Sequence, residues 1–446
     1  MKTMRKSISV LALLLLLVLL VGTFAGCTAQ DPTWNSGTSE SARTVTDVSV
    51  VEGSIIVTYS DGSRVNLGSS VTNVTENTID VTVTDTDSTA IAASRALLST
   101  VSVVCGFEKT VQYQTMFGKP YTRTEEYRSA GAGVIFALDK TAGDAYIITN
   151  QHVVYDVESN ASNHVSNDIS IYLYGAEEAI PATYVGGSVN YDIAVLKVTG
   201  NPYLRASAAE AVTVSDSGQA QVGTTALVVG NPEGGGISTT LGIVSVDSEY
   251  IVMDSLNGNG TTTFRVIRID AAVNSGNSGG GLYNGAGELI GIVNAKVSSS
   301  SVENIGYAIP SNVAVAIAQN IIDYHASEGA ECVRRAMLGI SLTTSDSAMV
   351  YDEETAMTAI SETVKVNKIE EESGLGAQMG LAAGDTLVSV KVGERETVVL
   401  TRQYQVIDEL LNARVGDTVT LVIRRSGSTE DTTVTVQITA DCLQDY

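Results

Sequence analysis

The chain has 446 residues, 44% of them hydrophobic and 17% charged, with 41 glycines and a formal net charge of −24. That length holds two or three domains and at least one large core, and the apolar fraction excludes a wholly disordered chain. So acidic a balance argues against nucleic acid as a partner, because a phosphate backbone is bound by clustered Lys and Arg.

Residues 1–26 read as an export signal. Lys2, Arg5 and Lys6 form a positive start, and the apolar run from Ile8 to Val21 is short for a membrane span. It ends in Phe24-Ala25-Gly26-Cys27, which resembles a bacterial lipoprotein signal, in which the Cys is lipidated and becomes the new N-terminus. The expectation is a protein anchored through Cys27 on the extracytoplasmic face of a bacterial cell membrane. Residues 27–44 are polar and read as a tether. Residues 45–70 form a small β unit, with Ser54–Tyr59, a turn at Asp61-Gly62 and a returning strand from Arg64. The Thr/Asp/Ser-rich stretch 71–90 reads as linker, partly strand-like.

Residues 91–325 carry many short apolar runs divided by Gly, Asn and Asp, among them Val101–Val104, Tyr146–Thr149, Ile193–Val198, Thr225–Val229 and Leu289–Val293. Evenly spaced short strands with almost no helical period predict an all-β barrel or sandwich. The exception closes the segment: Pro310-Ser311 opens a helix with Val313, Ile317 and Ile321 on one face, ending near Gly329. Residues 326–336 read as a hinge. A second, mixed unit follows over 337–440, with Met337-Leu338-Gly339-Ile340, a stretch from Gly374 to Val392, a helix from about Gln403 to Ala413, and a strand pair at Thr418–Arg424 and Thr432–Ile438.

The chemistry centres on Asn274-Ser275-Gly276-Asn277-Ser278-Gly279-Gly280-Gly281. A serine between glycines suits acyl transfer: glycine permits positive φ and close approach, and two N–H groups of such a loop can point at one developing oxyanion. Such a serine needs a base and a group that orients the base. Of three histidines, His164 lies in a polar run and His325 ends a helix, whereas His152 follows the apolar strand Tyr146–Thr149. Asp192, just before Ile193–Val198, sits where an orienting acid belongs. With four cysteines (Cys27, Cys105, Cys332, Cys442) and no Cys-x-x-Cys pair, neither a metal site nor a cofactor is expected.

The order His152, Asp192, Ser278 within Thr-Asn-x-His-Val, Tyr-Asp-Ile-Ala-Val-Leu-Lys and Asp-Ala-Ala-x-Asn-x-Gly-Asn-Ser-Gly-Gly resembles the HtrA/Deg branch of the trypsin-like serine proteases. Gly230-Asn231-Pro232 and Ile305–Pro310 fit the same pattern. The resemblance implies a mainly β fold: two six-stranded barrels with the triad between them, followed by a PDZ domain. It implies an oxyanion hole at the N–H groups of Gly276 and Ser278. Leu338, Gly339 and Ile340 match the carboxylate-binding loop of a PDZ domain, which would add C-terminal peptides as an extra strand. The implied partners are unfolded polypeptides and copies of the same chain, as a homotrimer.

Some positions depart from the family. Ser275 and Gly281 replace prolines common near the nucleophile, and Asn277 stands where digestive proteases carry an Asp that pairs with a new N-terminus. Activation by peptide binding or assembly is therefore expected rather than zymogen cleavage. Ala272 stands where trypsin carries its Lys/Arg-selecting acid, so small aliphatic side chains are expected before the cut. The polar insert Lys109–Ser129 falls where the family has a regulatory loop. A catalytically silent chaperone on the same fold is the rival reading. An α/β-hydrolase esterase fits Gly276-Asn277-Ser278-Gly279-Gly280, but it needs alternating helices that residues 91–300 lack.

Overall fold

The computed structural model describes residues 88–295, 305–353, 357–371 and 374–446, and the backbone of short strands between 45 and 79. Its contacts group into two units, Met1–Asp85 with Met349–Ala359, and Thr86–Ala348 with Ile360–Tyr446. In the first, Val45–Val51, Ser54–Tyr59 and Arg64–Asn66 form an antiparallel three-stranded sheet. Cys27 and the tether lie outside the described residues.

The second unit opens with helix α1 (Ser88–Ser99), which begins inside the stretch read as linker. It buries Ala92, Ala96 and Ser99, a stripe at helical spacing whose small side chains give little apolar contrast. Next comes a closed barrel of β1 (Thr100–Gln114), β2 (Pro120–Asp139), β3 (Asp144–Thr149), β4 (Asp168–Leu173), β5 (Ile180–Ser188) and β6 (Ile193–Val198). Its strand order is β5-β6-β3-β2-β1-β4. Val101, Val103, Ile135, Ile147, Ile171 and Leu196 fill its interior, each adding about 1.5–3 kcal/mol by burial. Lys109–Ser129 is no loop: β1 and β2 stay paired from Thr100↔Val134 out to Gln114↔Pro120.

The second barrel comprises β7 (Thr225–Gly230), β8 (Ser238–Asp254), β9 (Thr261–Ile269), β10 (Gly281–Tyr283), β11 (Leu289–Val293) and β12 (Gly306–Pro310). It closes in the order β7-β8-β9-β12-β11-β10. Helix α2 (Ser311–Glu328) follows, burying Val313, Ile317 and Ile321 as its periodicity predicts. Gly329, at φ 71°, returns its N–H to His325 O, a left-handed stop that glycine adopts without strain.

The chain beyond α2 is not a free hinge. Val333 is fully buried, Arg334–Ala336 pairs with Leu443–Asp445, and the Asn320 amide bonds both the N–H and the C=O of Arg334. The C-terminal sheet then runs in the order β13 (Ile340–Asp352), β14 (Met357–Ile369), β15 (Thr386–Val392), β16 (Thr418–Arg424), β17 (Asp431–Gln437). The β13–β14 hairpin is unforeseen in the sequence; helix α3 (Tyr404–Leu410) and the β16–β17 pair fall where patterning puts them.

Arginines join this sheet unit to the barrels. Arg265 of β9 pairs with buried Asp408 of α3 and stacks on Tyr404 at 3.9 Å. Arg402 pairs with Asp247 at 2.7 Å, Arg414 with Asp323 at 3.0 Å, and Arg335 donates to the Tyr191 hydroxyl. The planar guanidinium suits such seams, because it stacks and donates in the same geometry.

Candidate active site

His152 sits in a one-turn helix (Gln151–Val154) immediately after β3, held from below by buried Val153 and Val154. Asp192 occupies the tight corner before β6, in the left-handed region at φ 53°, which Asp tolerates better than most residues. Its side chain is 1% exposed and that of His152 16%. One carboxylate oxygen, Oδ1, accepts the His152 backbone N–H at 2.9 Å. Oδ2 accepts from His152 Nδ1 at 2.7 Å and from Asn294 Nδ2 at 2.8 Å. A buried carboxylate is costly unless hydrogen-bonded, and here three N–H donors meet it. An acceptor at Nδ1 puts the ring proton there and leaves the Nε2 lone pair available as a base. The neighbouring Asn150 amide donates to Asp192 O at 2.8 Å, fixing the corner itself.

Ser278 comes from the second barrel, on the loop between β9 and β10, and is buried. Its C=O accepts the Ala132 N–H at 2.8 Å, and the adjacent Ala132 C=O accepts Thr149 Oγ1 at 2.7 Å. These bonds stitch the serine to the end of β3, beside the His152 turn. Among the described residues, Ser278 Oγ has the Ala295 N–H as its partner, at 3.2 Å, rather than the imidazole. The bond from Ser278 Oγ to His152 Nε2 is thus not closed in this structure. Tightening on substrate binding is common in serine enzymes.

The loop before the serine is braced from a turn at 231–236. Asn231 N–H donates to Gly276 O at 3.2 Å, and Glu233 N–H to Ser275 O at 2.8 Å. Gly276 has φ 92°, and a Cβ there would stand 2.2 Å from Asn231 O; only glycine fits. Among the described residues neither the Gly276 nor the Ser278 N–H has a protein acceptor, so both are free to meet an oxyanion. The brace holds the loop although Ser275 and Gly281 stand in place of prolines.

Two asparagines carry parts of this geometry that sequence reasoning left unassigned. Asn231 appears there only within a motif, yet it also accepts Gly236 N–H at 2.8 Å and so folds the bracing turn. Asn294 was not singled out. Its signal is a lone amide directly after the wholly buried run Leu289–Val293. His164 and His325 stay outside the cluster: His164 bonds Ser159 O at 3.2 Å and sits edge-on to Tyr155, and His325 ends α2. Ala272 is exposed beside half-buried Val273, against which Gly306 packs. Among the described residues no group of three His, Cys, Asp or Glu is placed to hold a metal ion.

Leu338, Gly339 and Ile340 line a second feature, an open groove of about 280 Å³ walled by Val406, Ile407 and Leu410 of α3. The groove runs beside β13, an edge strand. Arg335 and Glu370 flank it. Burial pushes the Tyr191 phenol that Arg335 contacts up to about 12, although Arg335 pulls the other way.

Residues 131–292 match the family model of the trypsin-like peptidase domain. The chain is 31% identical to Serine protease Do-like HtrA of Lactococcus lactis subsp. lactis, over 77% of this chain and 80% of the relative. It is 34% identical to the protein of the same name from subsp. cremoris, over 67% and 68%. The solved HtrA-type protease AlgW with decapeptide aligns over 80% of this chain and 99% of its own, at 24% identity and a TM-score of 0.48.

Proposed function

This chain belongs to the HtrA/Do-like serine proteases and is a serine endopeptidase, and on that premise we propose that His152, Asp192 and Ser278 are its catalytic triad. His152 Nε2 takes the Ser278 proton as Oγ attacks the scissile carbonyl, Asp192 holds the imidazole and stabilises the imidazolium, and the Gly276 and Ser278 N–H groups receive the oxyanion. The imidazolium then protonates the leaving amine, and a water, deprotonated by the same base, hydrolyses the acyl-enzyme. The observation that carries this reading is the buried Asp192 carboxylate, gripped by His152 twice and by Asn294 from the opposite barrel.

The substrates we propose are unfolded polypeptides, cut after small aliphatic residues; Ala272, in place of a charged selector, supports this. The unit from residue 337 acts as a PDZ domain, taking a C-terminal peptide as a strand beside β13 with its carboxylate at Leu338, Gly339 and Ile340. The apolar groove there supports that reading. The protein works as a homotrimer at the cell envelope, anchored by lipid on Cys27.

The test compares the wild type with Ser278→Ala on an unfolded protein and maps the cut sites. Cleavage by the wild type alone, after small aliphatic residues, is the expected result. Cleavage surviving in Ser278→Ala would end the triad assignment, and cuts after Lys or Arg would end the specificity. Failure of both proteins to cut, with C-terminal apolar peptides added, would favour a chaperone. Cys27→Ala is expected to move the protein from the membrane to the soluble fraction.

A further inference from the structure

The β1–β2 hairpin leaves the first barrel after buried Phe107 and continues as a paired ladder to Gln114↔Pro120, about 20 Å of projection at ~3.3 Å per residue. Its apex is a built turn: Thr115 N–H bonds Lys119 O, Gly118 N–H bonds Thr115 O, and Lys119 N–H bonds Thr115 Oγ1. This ordered turn presents Met116 and Phe117, 96% and 94% exposed. Two large apolar side chains held fully in water on a rigid arm are a standing cost, and nothing in the proteolytic chemistry uses them.

The residues behind the apex are aromatic and basic. Tyr113 and Tyr121 pair across the ladder with their rings stacked at 5.6 Å. Lys119 lies beside the apex and Arg123 one step behind the tyrosines. From Gln112 to Thr124 there is no acidic residue, although the chain carries net −24. The first carboxylate, Glu125, is already engaged by the Tyr113 hydroxyl. An apolar end backed by a tyrosine pair, with Lys119 on its tip side and Arg123 behind it, suits the acyl boundary and anionic interface of a bilayer, the long lysine stem reaching back to the phosphates. Tyrosine tips stay wet while their rings bury, and each basic residue gains from an anionic surface.

We propose that this hairpin tip is a membrane-docking wedge, with Met116 and Phe117 entering the acyl boundary of an anionic bilayer and Lys119 and Arg123 on its phosphates. A tip this small binds weakly by itself. It rests on the envelope-anchored reading, in which the lipid on Cys27 supplies the local concentration. Docking fixes the orientation of the first barrel to the surface, which a polar tether cannot do.

The test uses the full chain with Trp34→Phe and Phe117→Trp, so that the one tryptophan reports the apex. It is mixed with phosphatidylcholine vesicles, with or without phosphatidylglycerol, whose acyl chains carry bromine. Flotation reports anchoring and quenching reports the wedge. Expected is flotation with both vesicles, with a blue-shifted, quenched tryptophan in the anionic ones. Lys119→Glu with Arg123→Glu is expected to reduce the quenched population about tenfold without altering peptidase activity. Flotation without quenching would overturn the wedge and leave the anchor standing. A blue shift that bromine does not quench would mean the apex is buried against a second copy of the chain, also overturning it. No flotation would overturn both readings.

Discussion

Replacing Asn294 by alanine removes one of the three N–H donors on the Asp192 carboxylate and leaves His152 and Ser278 untouched. Both partners are buried, Asn294 fully, so the bond is charge-assisted in a low dielectric, and losing such a bond costs about 1.5–3 kcal/mol. Part returns if a water fills the vacated amide. The remainder is felt most in the transition state, where Asp192 must hold a charged imidazolium, so kcat/KM is expected to fall about ten- to a hundredfold with KM little changed. A fall in kcat with KM unmoved and the folded fraction unchanged separates this effect from mere loss of folded protein. Asn294→Asp, which sets a second carboxylate beside the first, is expected to fall further. A peptide assay on purified, folded proteins checks both outcomes. An Asn294→Ala enzyme within about twofold of wild type would refute the reasoning.

Gly276→Ala places a methyl 2.2 Å from Asn231 O at a φ of 92°. Disturbing that oxyanion donor is expected to lower kcat about a hundredfold or more while peptide binding persists, as fluorescence anisotropy of a labelled inhibitor peptide would report. At the arginine seam, burial raises the Asp408 carboxyl to about 6 from 3.8, against the pull of Arg265. The folded state therefore holds this proton more tightly than the unfolded chain. The group's contribution to stability is greatest below about pH 4 and declines as pH rises towards 6. Asp408→Asn is expected to flatten that part of the Tm-against-pH curve, and an unchanged slope would count against the assignment. Burial also pushes the Cys105 thiol up to about 12, so an alkylating reagent at neutral pH is expected to label Cys105 only after denaturation.

The residues proposed as the triad were legible because His152 and Asp192 lie at the ends of strongly apolar strands and Ser278 lies among glycines. Asn294 and Asn231 were not, because their work is tertiary: one reaches Asp192 from the other barrel, the other braces a loop far along the chain. The β1–β2 hairpin reads as a polar insert because both its faces are largely exposed beyond Phe107. Without a buried face there is no apolar alternation to reveal a strand. Helix α1 was hidden for a related reason, since alanines at the core positions give little contrast with the serines around them. The expected hinge at 326–336 failed where a short strand partner, Leu443–Asp445, arrives from the far end of the chain.

Asp192 is held from one barrel by His152 and from the other by Asn294, and Ser278 is hydrogen-bonded to Ala132 across the same divide. Neither barrel alone holds all three residues of the proposed triad. On the proposed reading, a copy that has folded only one barrel is inert towards its equally unfolded siblings. The capacity to cut would then appear only as the molecule ceases to be a substrate itself, a self-protection that follows from the topology.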